Sequence, residues 1–502
     1  MHKSSVIEII KHFSEEELTR FNDFVNSPYY NKNKSVRKLY AEIKKHSKIF
    51  ESENLKKENI WKKIYPGKNF NYGVMKNLIH ELTKLLEQFI VVEYSAKDEL
   101  TYIRNLIYAL LEQRNFKLYN HKYNKVLNNY FKNSNKRLTT FANKYYELYS
   151  EIILSKAHDP LTFKKIESLG EIITTSENFS AISILILSMI NFLNIKPLMN
   201  IGGIASEETM IQSLQLLDEK KINKILNYLK KNSQKDYRIL NCYYMFYLSM
   251  SNLSDIKLYY KTKETLAEER NLFSRKELRI LCIGLHNLCY NMPIEVNKIN
   301  EHYEIYKFMD ENDVLLEETN LIHHINYDNY VYQLINLKKT DELEQFINKY
   351  SQYLDEKGQE SYFNYAMAEL NFLKGKFEKS LEHLIKINDE FAKLKVPIKV
   401  LHIKCFYELN EYEKFKYLYE SYKRFQPKNE QVSEDRTERT LKLCKWVTKL
   451  FELRERRSIY EIEKLKKEFD SMHKLPYRVW IKEKIDELVK ENKNLNTSKN
   501  KR

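Results

Sequence analysis

Apolar residues recur three and four positions apart along almost the whole chain, the spacing that places them on one face of an α-helix. The cleanest stretch runs Leu78, Ile79, Leu82, Leu85, Leu86, Phe89 and Ile90, with Lys76, His80, Glu81, Lys84 and Glu87 on the opposite side. Shorter helices are expected before it, over 4–13, from Ser14 onward, over 35–46 and over 56–65. Ser14 offers an N-cap with Glu17 three residues on as its capping-box partner. Asn26-Ser27-Pro28 closes that second helix, because proline disfavours helical geometry in the residue before it. Tyr29-Tyr30-Asn31 reads as a loop, Pro66-Gly67 as a stop, and Ser95-Ala96-Lys97 as a domain edge.

From residue 98 onward, helices of roughly 12 to 20 residues follow one another through short polar joints. The joints fall at Asn133-Ser134-Asn135, His158-Asp159-Pro160, Lys196-Pro197, Ile201-Gly202-Gly203, Asn291-Met292-Pro293 and Pro427-Lys428-Asn429. The run Lys196 to Ser206 is the longest irregular stretch and predicts a bend. Ala181 to Ile195 is the most apolar run; it is shorter than the ~20 residues that span a bilayer and contains Ser183, Ser188, Asn191 and Asn194, which predicts a buried helix. Only 8 glycines and 8 prolines occur in 502 residues. A parallel sheet with phosphate-gripping turns needs many more glycines. The pattern therefore predicts an all-α fold, a right-handed α-solenoid of antiparallel helix pairs behind an N-terminal helical module. Its parts are a module over 1–95, helical repeats over 96–200 and 201–430, a helical cap over 431–491 and a disordered basic tail over 492–502.

An internal repeat lies between Thr340 and Pro427. Leu343, Phe377 and Tyr412 fall at equivalent places, as do Phe346, Ser380 and Phe415, and Tyr350, Leu384 and Tyr419, at spacings of 34 or 35 residues. That period, with Ala368, Gly375, Phe377 and Ser380 in the copy Asn364 to Asn388 and Pro427 ending the last copy, resembles the tetratricopeptide repeat. The resemblance implies helix–turn–helix units stacked around a peptide-binding groove. Thr340 and Asn410 stand at the turn glycine, and Phe346 and Phe415 where alanine is usual, so a degenerate, irregular array is expected. From the Ser-Pro-Tyr-Tyr-Asn segment onward the chain is also similar to helical-repeat proteins of Bacteroidota-type bacteria, a likeness that brings no activity with it. Glu58 to Ile90, with Trp61, Pro66 and Leu82, resembles the helix–turn–helix of winged bacterial activators; the exposed face of its second helix carries no arginine for guanine. A plain helical cap is the simpler reading.

Net charge is +15, and its distribution is uneven. Residues 101–138 carry 8 basic and 1 acidic side chains, and 436–502 carry 20 and 11. The candidate patch for an anionic partner is Arg104, Arg114, Lys117, Lys122, Lys125 and Lys132, with Arg454, Arg456 and Arg457. In 101–138 these cations alternate with Tyr102, Tyr108, Phe116, Tyr119, Tyr123, Tyr130 and Phe131, as a surface that neutralises phosphates and stacks bases would require. Tyrosine packing with a polar tip produces the same string. An AT-rich coding sequence also enriches Lys, Asn, Ile and Tyr.

No phosphate-binding loop, dinucleotide fingerprint, zinc-protease helix or nucleophile elbow occurs. His323, His324 and Asp328, with Glu317 as a possible third ligand, are the most metal-like group; an i, i+4 polar pair explains them equally. Cys242, Cys282, Cys289, Cys405 and Cys444 form no C-x-x-C pair and read as buried thiols. Glu8, Glu15, Glu16 and Glu17 interrupt any leader-like apolar core, which predicts a cytoplasmic protein. The expected function is a non-catalytic scaffold that binds a protein or peptide partner, without cofactor, metal or membrane; nucleic-acid binding or transcription regulation through 101–138 and 436–457 is the alternative.

Overall fold

The computed structural model describes residues 4–46, 53–131, 138, 140–159, 166–200, 218–293, 295–387, 394–423, 434–456, 458–472 and 475–499. The described residues are overwhelmingly α-helical and include no strand, only an isolated bridge between Leu316 and Ile322. The chain divides into two compact units. One is Met1–Ser188, Ser213–Leu240 and Asn271–Phe273; the other is Met189–Gln212, Asn241–Arg270 and Ser274–Arg502.

The first unit begins with α1 (Ser5–Ile10), α2 (Glu15–Asn26), α3 (Lys34–Lys44), α4 (Lys57–Ile64) and α5 (Tyr72–Lys97). The Ser14–Glu17 capping box forms: Glu17 N donates to Ser14 Oγ at 3.2 Å and Ser14 N to Glu17 Oε2 at 2.9 Å. The apolar faces of the five helices close around Phe21, Val25, Leu39, Tyr40, Trp61, Leu82, Leu86 and Phe89. Phe21 meets Tyr40 edge-on at 4.8 Å and Phe89 at 5.3 Å. Asn31 is buried, donating from Nδ2 to Val25 O at 2.9 Å and accepting from Asn33 N at 2.9 Å, so the Ser-Pro-Tyr-Tyr-Asn turn is a built element. Trp61 and Leu82, the residues behind the winged-activator likeness, are core residues of this module.

Beyond Asp98, which caps the next helix, come α6 (Glu99–Glu112), α7 (Phe116–Val126), α8 (Ala142–Ser155) and α9 (Ile166–Asn200). α6 packs on both α7 and α8. Two sequence expectations fail in α9. The joint at Lys196-Pro197 is absent, because the helix runs on through Pro197 to Asn200. The run Ala181 to Ile195 is buried on one side only: Ile182, Ile186 and Met189 are in the core, whereas Ile184 and Leu187 are 59 % and 45 % exposed. The stretch Glu167–Leu193 is long and apolar enough to cross a membrane, by length and composition alone. The joints at 133–135, 201–203 and 427–429, together with Pro427, lie outside the described residues.

The remaining helices are α10 (Glu219–Asn232), α11 (Gln234–Ser251), α12 (Ile256–Glu269), α13 (Arg275–Asn291), α14 (Lys298–Glu311), α15 (His324–Asn336), α16 (Thr340–Tyr350), α17 (Glu356–Leu373), α18 (Phe377–Ile385), α19 (Lys395–Glu408), α20 (Tyr412–Lys423), α21 (Glu434–Arg456), α22 (Ile459–Ser471) and α23 (Arg478–Lys499). In the second unit each helix from α13 to α21 packs on its successor where the joint is described, and α15–α17, α17–α19, α19–α21 and α21–α23 are also in contact.

Four turns there share one device. Asp313, Lys338, Gly375 and Asn410 have φ of 56°, 53°, 70° and 58°. In each, the next amide donates back to the carbonyl five residues earlier: Val314 N to Met309 O at 2.9 Å, Lys339 N to Leu334 O at 2.9 Å, Lys376 N to Asn371 O at 2.8 Å and Glu411 N to Phe406 O at 2.8 Å. Left-handed residues of this kind satisfy the orphan carbonyls at a helix end. The position matching Gly375 is therefore Lys338, two residues before Thr340. Helices α16, α18 and α20 start at Thr340, Phe377 and Tyr412, so Leu343, Ser380 and Phe415 occupy the same helical position and the first copy is longer than its 34-residue sequence match.

Candidate functional site

A group of ionisable and aromatic side chains in the second unit surrounds Lys404 on α19. This helix carries Lys395, Lys399, His402, Lys404 and Glu408 among apolar residues that are buried on more than one side: Val396, Val400, Ile403 and Tyr407 enter a core shared with Leu443, Val447, Trp480, Ile481 and Ile485, and Leu401 and Cys405 are buried on the opposite side. Lys404, one residue beyond Ile403, is carried along the edge of that core and is only partly exposed. Its Nζ lies 5.8 Å from the ring centre of Phe372, 5.5 Å from Tyr477 and 5.9 Å from Trp480. Among the described residues its ammonium has no hydrogen bond and no ion pair. Burial holds the amine below the usual lysine range, against the pull of Glu369 first and then of Glu483 and Glu408.

Glu369, 8 % exposed, accepts a hydrogen bond from Tyr365 Oη at 2.9 Å. Its carboxyl is pushed above the usual range by burial, with Lys404 and the Tyr365 hydroxyl acting the other way. The neighbouring carboxylates already have cations. Lys484 Nζ is 2.7 Å from Glu408 Oε1 and 2.8 Å from Glu487 Oε2, Trp480 Nε1 donates to Glu408 at 3.3 Å, and Lys338 Nζ is 2.6 Å from Glu483 Oε1. Lys404 is thus the cation left without a direct counter-ion in a site that holds three carboxylates.

A second group joins α13 to α14. The rings of His286 and His302 are 4.2 Å apart, with Tyr306 5.6 Å from His286. His302 is buried and its Nδ1 has no hydrogen-bond partner. One turn along α13, Cys289 is fully buried beside Tyr259, and Glu301 accepts from Lys263 Nζ at 2.7 Å and Tyr259 Oη at 3.2 Å. These polar groups bind neighbouring helices together through atoms that the packing has removed from water.

The basic residues singled out in the sequence differ in how far the fold engages them. Arg104 is half-buried, with Nε 3.3 Å from Glu151 Oε2. Arg114 closes α6 with φ 54° and is exposed. On α7, Lys117 and Lys125 are exposed and Lys122 is half-buried. Arg454 donates to Tyr407 O at 2.7 Å and stacks on that ring at 4.2 Å, while Arg456 is 3.6 Å from Glu461. Lys132 and Arg457 lie outside the described residues. The two segments belong to different compact units. The aromatic half of the pattern is divided: Tyr119 and Tyr123 are buried, with Tyr119 Oη 3.1 Å from Ser155 Oγ, Tyr108 and Phe116 are half-buried, and Tyr102 is exposed.

Arg114 allows a direct test. A left-handed conformation costs a non-glycine residue about 1–2 kcal/mol. Arg114→Gly is expected to stabilise the first unit by about 1 kcal/mol, read as a higher thermal midpoint, because the turn geometry is kept and the side chain has no ion pair among the described residues.

The metal-like trio is otherwise engaged. His323 caps α15 by accepting from Ile325 N at 3.3 Å, and His324 lies against the Tyr362 ring at 5.6 Å. No group of three or more metal-ligating side chains is found among the described residues. All five cysteines are free and buried.

Compared with known proteins, the chain matches no family model, no curated protein and no solved structure.

Sequence reasoning missed the Lys404 group entirely. Its members come from α17, α19, the turn at Tyr477 and the start of α23, and no local pattern in the sequence brings them together.

Proposed function

We propose that the chain is a non-catalytic helical-repeat scaffold, a degenerate tetratricopeptide-like right-handed solenoid of antiparallel helix pairs that holds a protein or peptide along one face of its second unit. The observation that carries this reading is the series of contacts α15–α17–α19–α21–α23, in which every second helix touches the next. Such a series gives alternate helices a common side. Tyr332, Tyr365, Glu369 and Lys404 come from that series and Tyr477 from the turn that leads into α23, and a row of tyrosines with charged groups between them offers large contact area at small entropic cost. The left-handed turns at Lys338, Gly375 and Asn410 support the same reading, because they repeat one helix–turn–helix geometry. The nucleic-acid reading draws less support, since Arg104, Arg454 and Arg456 are engaged within the fold.

The test is a photo-reactive phenylalanine analogue placed in the full chain at Tyr332, which is 57 % exposed on α15, or at Tyr417, which is 81 % exposed on α20. A discrete protein adduct at Tyr332 that survives nuclease and high salt, with none at Tyr417, is the expected result. Equal cross-linking at both positions removes the proposed face. Nuclease-sensitive adducts confined to Tyr102, in the basic segment, favour the nucleic-acid reading.

A further inference from the structure

We propose that Lys404 is a covalent capture site for an uncharged aromatic aldehyde, which it binds as an imine. This goes beyond the scaffold reading and does not rest on it. The geometry has three parts. The amine stands within 6 Å of three flat rings, Phe372, Tyr477 and Trp480, which form walls suited to an aromatic guest. It has neither hydrogen bond nor ion pair among the described residues, so its lone pair, once the proton leaves, is not already committed. Glu369, whose carboxyl acts electrostatically on Lys404, accepts from the Tyr365 hydroxyl at 2.9 Å, giving a proton donor and acceptor in one unit.

Two effects oppose each other at the amine. Ring quadrupoles favour the ammonium, yet all three contacts sit at the outer edge of the ~6 Å range over which that attraction is useful. Desolvation favours the neutral amine and acts on the whole charge. Desolvation prevails, and Lys404 is held below the usual lysine range. Lysines activated in this way are the ones that form imines with carbonyl compounds.

The step balances. The Nζ lone pair attacks the aldehyde carbon while the C=O π pair moves to oxygen. The Tyr365–Glu369 unit supplies a proton to that oxygen and takes one from nitrogen. Loss of water then leaves the C=N bond, with no change in oxidation state. Burial decides which aldehydes enter. Glu408 and Glu483 already hold Lys484 and Lys338, and an amine that has lost its proton offers no counter-charge, so an aldehyde bearing a carboxylate or phosphate would bring an unpaired charge among the rings, whereas a neutral aromatic one is admitted.

The experiment treats the full chain with benzaldehyde and cyanoborohydride, and peptide mass spectrometry then follows the reduced adduct on each lysine. At pH 7, Lys404 is expected to be labelled several-fold faster than the exposed Lys416 and Lys464, because burial favours its uncharged form. That excess should fade as pH rises towards 10. Glu369→Gln is expected to slow labelling at Lys404 and shift its pH profile without changing the thermal midpoint, and 4-carboxybenzaldehyde should label Lys404 more slowly than benzaldehyde does. Labelling of Lys404 no faster than Lys416, or an excess that is independent of pH, overturns the proposal, and both readings come from the unmutated protein. Equal rates with the two aldehydes overturn the assignment to an uncharged guest.

Discussion

Replacing Glu408 with alanine should cost the second unit about 3 kcal/mol, because removing one partner from a buried ion pair strands the other charge in the interior. The side chains of Glu408 and Lys484 are each 10 % exposed and meet at 2.7 Å. Burial works to lower the Lys484 amine, but hydrogen bonds to Glu408 and Glu487 outweigh it and hold the group protonated above its ordinary range. In Glu408→Ala the cation keeps only Glu487, whose side chain is half in solvent, and Trp480 Nε1 loses its acceptor. The chemical-denaturation midpoint reads the loss. The double variant Glu408→Leu, Lys484→Met removes both charges and fills the space, so it should return to within about 1 kcal/mol of the native protein. A double variant as unstable as the single one would show that the pair is not what matters at this contact.

Acidification should destabilise the same unit through His302. Its imidazole is pushed down to about 3, by burial first and then by His286 and Lys298. His286 is lowered as well, again chiefly by burial. The unfolded chain takes up a proton near pH 6.5, whereas folded His302 refuses it until about pH 3. Unfolding therefore binds protons throughout this window. The contribution is intact above about pH 6.5 and is lost progressively as pH falls towards 3. At pH 5 the loss from His302 alone is about 2 kcal/mol. The check is the thermal midpoint of the native protein and of His302→Phe at pH 7.5 and pH 5.0. The native protein should lose more on acidification, because phenylalanine fills the site beside His286 without a group to protonate. Parallel pH dependence in the two proteins would refute this account.

Much of the helical layout was legible because its causes are local. The Ser14–Glu17 capping box, the stops at Pro28 and Pro66 and the face from Leu78 to Phe89 each depend on residues within one or two turns of each other. The limits of this local logic appear in α9. Pro197 looked like a break, and the apolar run before it looked buried throughout, but nothing in the run says how many neighbours a helix will have. The repeat register failed for a related reason. Matching Leu343 to Phe377 aligns apolar letters, whereas the left-handed turns at Lys338 and Gly375 align the backbone, and the two alignments differ by three residues. The basic–aromatic string over 101–138 was ambiguous by construction. Tyr119 and Tyr123 turn inward while Tyr102 stays in solvent, a choice made by the neighbours and not by the spacing.

By itself the sequence determined that this chain is helical, where most helices begin and end, and which faces are apolar, since short-range sterics, capping and the 3.6-residue period settle these within a dozen residues. Tertiary structure alone decided that Lys404 lies among Phe372, Tyr477 and Trp480, that Glu408 meets Lys484, and that His286 stacks on His302. Those meetings join separate helices, as far apart as α17 and α23, and their energies come from desolvating charge and ring surface together, which no local pattern encodes.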